Sequence, residues 1–138
     1  MMAAATATIQ RLGMEGIATA QALTTKEWKP EDAHFDLVIG WWTLSYLDVQ
    51  GRKSYLRKIS SCLKSGGFLV ISEPVAEAPE LTHAFGQEMT VRKHDFYETL
   101  LASHGFLLQR SQVHKQAVRS PEDDLELYDT LVAVYQKP

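Results

Sequence analysis

A chain of 138 residues with 45% hydrophobic content can bury one core of its own, and it holds no apolar run near the ~20 residues that cross a bilayer. Its net charge of −3 and pI near 5.9 leave no basic footprint for nucleic acid or an anionic membrane surface. One cysteine excludes an intrachain disulfide, and Cys62, between Ile59 and Leu63 on a helical pattern, reads as a buried, inert thiol in a reducing compartment.

The opening MMAAATATIQRL has one arginine and no acid before Glu15, a composition with some likeness to a mitochondrial transit peptide. It is read as an amphipathic helix with Ile9 and Leu12 inward, ending near Gly13. IATAQAL follows as a short strand, and TTKEWKPEDAH as a loop stopped by Pro30. The run FDLVIGWWTLSYL, Phe35 to Leu47, is a near-continuous apolar strand. Asp36 is its one core acid, and aromatic and polar groups gather where it ends, as at a ligand crevice. From Gln50 to Lys64 the residues Tyr55, Leu56, Ile59, Cys62 and Leu63 recur at helical spacing, and Gly66 and Gly67 stop the helix. GGFLVISEPV is a second buried strand, followed by a polar loop to about Thr90. A helix carrying Phe96, Leu100 and Leu101 runs to Gly105, and FLLQRSQV and LYDTLVAVYQ form two strands around an acidic loop at Pro121 to Glu126. Strands alternating with helices imply an α/β fold with a parallel sheet, and the helix-free last connection implies an antiparallel final pair.

Several chemistries lack their residues. His34, His83, His94, His104 and His114 show no metal-ligand spacing, so no metal site is expected. His104, before Gly105, sits where a helix carboxyl end favours it. No G-x-S-x-G elbow supports hydrolase chemistry. No G-x-G occurs anywhere, and Gly13 and Gly16 in RLGMEGIA read as a helix-ending turn.

The Phe35 strand and GGFLVISEPV resemble the fourth and fifth strands of class I S-adenosylmethionine-dependent methyltransferases. Finer matches resemble the α-N-terminal protein methyltransferase family: Phe35, Asp36, LVIG, Trp41, Trp42 and TLSYL; then YLRKISSCLKSGG, and Val70, Ile71, Ser72, Glu73 and Pro74. Arg92 before a helix ending at HGF, and the close LELYDTLVAVY, continue the likeness from about Trp28 onward. The resemblance implies that Trp42 lines a substrate channel, that Tyr46 replaces a histidine beside it, and that Trp41 replaces a cofactor-facing glutamine. It places Thr25 and Lys26, with Trp28, on the adenine side of S-adenosylmethionine. Where the family has asparagine, aspartate and serine, this chain has Pro74, Gln87 and Met89, and Glu88 is the acid left nearby to hold a substrate amine.

The resemblance therefore implies one truncated methyltransferase-like domain over residues 1–138, a partial Rossmann-like sheet lacking the first two strands and their glycine turn. Two readings stand: a methyltransferase acting on a protein or peptide N-terminus of the X-Pro-Lys type, or an inactive scaffold or partner subunit. A cytoplasmic or nuclear setting is expected, with a mitochondrial one as the alternative. Without its two neighbours, the Phe35 to Gly40 strand would present a free edge. IATAQAL pairing directly with it, to give five strands, is the expectation for a monomer; a second molecule or partner chain is the other route.

Overall fold

The computed structural model describes residues 2–84, 86–115 and 128–138. The expected acidic loop at Pro121 to Glu126 lies outside the described residues. Helix α1 (Met2–Arg11) leads into strand β1 (Phe35–Trp41), the short helix α2 (Thr43–Tyr46) and helix α3 (Val49–Cys62). Strands β2 (Leu63–Val75), β3 (Glu80–Ala84) and β4 (Gln87–Val91) follow, then helix α4 (His94–Ser103) and strands β5 (Leu107–His114) and β6 (Asp129–Gln136).

The main sheet has four strands in the order β1-β2-β6-β5. β1 and β2 run parallel, and β6 lies antiparallel between β2 and β5. This is the α/β sheet expected, parallel in its first half and closed by an antiparallel pair. Glycine is needed at Gly67 within β2, because a Cβ there would stand 2.9 Å from the Lys64 carbonyl and 3.2 Å from that of Asp36.

Helix α3 starts at Asp48, whose carboxylate accepts from the Gly51 amide at 2.6 Å, satisfying one of the amides a helix start leaves bare. Its buried stripe is Arg52, Leu56, Ile59 and Cys62, and α4 contributes Tyr97 and Leu101. Of these, Leu56, Ile59, Tyr97 and Leu101 meet Leu69, Ile71, Val75, Leu131, Ala133 and Tyr135 from one sheet face in the main core. The alternation of a strand sends the intervening residues to the other face. There Leu37, Ile39, Trp41, Phe68 and Leu107 stay exposed. Cys62 is fully buried, and burial pushes its thiol up, which keeps thiolate scarce.

Four local expectations are corrected. IATAQAL is not a strand: it pairs with no strand among the described residues, and the Ile17 and Ala18 amides bond the Met14 carbonyl instead. Among the described residues the sheet thus has four strands rather than five, and β1 is its edge. The polar stretch before Thr90 is a β3–β4 hairpin, which buries Ala84, Met89 and Val91 against Trp42. Asp36 is not a core acid: its side chain is 83% exposed and bonds Lys64 at 2.9 Å, as befits a strand with no outer neighbour. Leu12 is 60% exposed, so only Ile9 of the expected inward pair is partly covered.

Candidate functional site

The core acid is Glu73, which lies near the carboxyl end of β2 and is fully buried. A carboxylate survives such burial only when its oxygens are bonded. Glu73 Oε1 accepts from the Leu44 amide at 2.8 Å; Oε2 accepts from the Ser45 amide at 3.1 Å and from Ser45 Oγ at 2.6 Å. With its proton committed to Glu73, the Ser45 hydroxyl accepts from Tyr97 Oη at 3.0 Å. Burial still pushes the Glu73 carboxyl up to about 7, hydrogen bonds from the Ser45 side chain and the Leu44, Ser45 and Thr43 backbone pulling it part of the way back. Burial and the nearby Glu73 also push the Tyr97 phenol up. The network ties the first turn of α2 to β2 and α4, fixing the chain that leaves β1. Trp42, at the joint, adopts a left-handed conformation with φ 51° and ψ 23°.

A second anchor holds the turn before β1. Lys58 Nζ, on α3, donates to the carbonyls of Thr25 at 2.7 Å, Lys26 at 3.1 Å and Trp28 at 2.7 Å. Glu27 closes the turn from inside, accepting from the Thr24 amide and hydroxyl. Trp28 leans on Tyr55 of α3, with ring centroids 6.1 Å apart. Two cavities flank this turn. One, of about 400 Å³, is lined by Thr24, Thr25, Trp28, Val38, Thr43 and Tyr55, among others. The other, of about 470 Å³, is lined by Thr25, Lys26, Tyr46, Asp48, Ser54 and Tyr55, among others.

Of the residues singled out in the sequence, Thr25, Lys26 and Tyr46 converge on the second cavity, and Thr25 also faces the first. Tyr46 donates its hydroxyl to the Ala84 carbonyl at 3.3 Å, joining α2 to the hairpin. The other three stand apart from both cavities. Trp41 ends β1 on the open face at 66% exposure, Trp42 is buried beneath the hairpin, and Glu88 lies exposed on β4 opposite His83. Sequence reasoning passed over Glu73, Ser45, Tyr97, Tyr55 and Lys58. The available signal was Glu73 itself, a charge inside an otherwise apolar strand, where acids are almost never buried without partners. Among the described residues, no three metal-ligating side chains are grouped.

No family model and no curated protein matches this sequence. Solved structures do match. A S-adenosylmethionine-dependent methyltransferase from Methanosarcina mazei has a TM-score of 0.74 at 14% identity, covering 99% of this chain and 76% of its own. The 1,6-didemethyltoxoflavin-N1-methyltransferase of Burkholderia thailandensis, crystallised with S-adenosylhomocysteine, has a TM-score of 0.75 at 20% identity, covering 96% of this chain and 55% of its own. The cyclase SpnF reaches 0.78 at 14% identity over 99% of this chain and 63% of its own.

The chain has the Rossmann-like α/β fold of class I S-adenosylmethionine-dependent methyltransferases, and it spans about half to three quarters of these neighbours' lengths. The presence of a cyclase among them shows that the fold alone does not fix the reaction.

Proposed function

We propose that this chain is a methyltransferase-type domain that binds the adenine side of S-adenosylmethionine and presents an α-amine, at a protein or peptide N-terminus of the X-Pro-Lys type, for methylation. The observation that carries the reading is the cavity beside β1, walled by Trp28, Thr43 and Tyr55, in a sheet that matches S-adenosylmethionine-dependent enzymes. Aromatic and hydroxyl groups suit a purine base. The residues fit only that part of the cofactor: the cavity lining contains no carboxylate for ribose hydroxyls, and the sequence contains no G-x-G turn for the methionine portion.

S-Adenosylmethionine supplies an electrophilic methyl group when bound. The chain's own contribution is placement: the amine must be neutral, in line and dry, and misplacement by ~1 Å can lower the rate about a hundredfold. The Lys58 and Glu73 anchors hold the walls of both cavities to α3 and β2. Of the groups singled out in the sequence, Tyr46, on the second cavity, is the one offered to the substrate, while Trp41, Trp42 and Glu88 lie outside both cavities. A cytoplasmic or nuclear setting accords with such a substrate, with the mitochondrion as the alternative. No helix among the described residues is long and apolar enough to cross a membrane.

The second reading is a catalytically silent scaffold or partner subunit, favoured by the lack of an acid in the lining of the cavity beside β1 and by Pro74, which has no amide proton to offer. Incubation with S-adenosylmethionine and X-Pro-Lys peptides, followed by mass spectrometry, separates the two. Gain of one methyl group on the α-amine is the result expected of the enzyme. Unmodified peptide at every enzyme and cofactor concentration overturns that reading in favour of the scaffold.

A further inference from the structure

β1 pairs with β2 on one side, and among the described residues its other side makes no backbone hydrogen bond. Neither proline nor lysine blunts it, and such an edge is a template for another strand. We propose that β1 pairs antiparallel with β1 of a second copy of this chain, about a two-fold axis at Val38, joining two four-stranded sheets into one.

The case for a second copy is that this strand complements itself. Val38 is the centre of the seven residues of β1, so only this register pairs all of them. It sets Leu37 opposite the partner's Ile39, Phe35 opposite the partner's Trp41, and Val38 opposite itself. Leu37 and Ile39 share the sheet face away from the helices and are 50% and 63% exposed, so these two pairs bring apolar against apolar where each is now wet. Asp36 falls opposite the partner's Gly40, and its charge is already matched by Lys64 in its own chain. No like charges oppose, and a two-fold contact closes after two copies. Residues 19–25 stand beside this edge across the cavity of about 400 Å³ and bond none of its backbone, so pairing breaks no ladder. A ligand lodged against Val38 and Ile39 and a paired copy would exclude each other.

The test is sedimentation equilibrium of the ligand-free chain over a concentration series, with circular dichroism confirming the fold of each variant. The native chain is expected to approach twice the monomer mass as concentration rises. Leu37→Lys with Ile39→Lys, both at solvent-exposed positions, sets like charges opposite one another twice and should leave a monomer. Leu37→Lys with Ile39→Glu sets opposite charges there and should restore the dimer. A native monomer at every concentration, an open-ended series of larger species, a dimer that survives the double lysine change, or failure of the lysine–glutamate pair to restore it would each overturn the proposal.

Discussion

Glu73 sets the strongest constraint on any single residue. Its carboxyl is pushed by burial from the ordinary 4.5 to about 7, so the native state binds this proton more tightly than the unfolded chain does. Its effect on stability is absent below about 4.5, grows unfavourably as pH rises toward about 7, and is constant above. At ~1.4 kcal/mol per pH unit, the loss across that window is about 3 kcal/mol at most. The Glu73→Gln variant carries no titrating group at this position, and subtracting its denaturant-unfolding curve from that of the native chain isolates the Glu73 contribution. The difference should fall with pH across this window; a flat or rising difference contradicts the assignment. Sequence pattern alone favoured the wrong acid. Asp36 and Glu73 both interrupt apolar strands, and what separates them is position in the sheet: Asp36 is on the edge and Glu73 inside, beside the amides that can bond it.

Among the elements, those with a regular apolar period were legible. The stripe through Leu56, Ile59 and Cys62 gave α3 to within two residues at each end, and GGFLVISEPV gave most of β2. IATAQAL and the β3–β4 stretch were misread in opposite directions for one reason. Strand propensity measures fit to a pleated, half-buried surface, and a segment shows it only where a partner exists. IATAQAL has none, whereas the polar ELTHA and QEMTV find each other across Gly86, at φ 72°, and bury Met89 and Val91. Trp42 is the pin of this second small core, whereas Glu88 projects from it into solvent. Trp42→Ala should therefore destabilise the chain by about 3 kcal/mol or more, and Glu88→Ala by no more than ~0.5 kcal/mol, in denaturant unfolding. Comparable losses would mean that the tryptophan does not hold the hairpin down.

At the scale of the whole molecule, the parallel first half and the antiparallel close were readable because they follow from alternating elements and a helix-free last connection, whereas the insertion of β6 between β2 and β5 was not read from the sequence. The cavities were not, since Trp28, Thr43 and Tyr55 meet only through the Lys58 and Glu73 anchors, which link residues about thirty positions apart. The resemblance singled out Thr25 and Lys26 together, and the fold sets both on the second cavity, with Thr25 alone also lining the first. The central claim is that the cavity walled by Trp28, Thr43 and Tyr55 holds a purine base, while its lining offers no carboxylate for the ribose of the cofactor. The most direct measurement is calorimetric titration with S-adenosylmethionine and, separately, adenosine, repeated on Trp28→Ala. The account predicts that both ligands bind the native chain with similar dissociation constants near ~1 mM, about −4 kcal/mol, and that both lose affinity in the variant. Micromolar binding of S-adenosylmethionine with a strong preference over adenosine, or no binding of either, would contradict it.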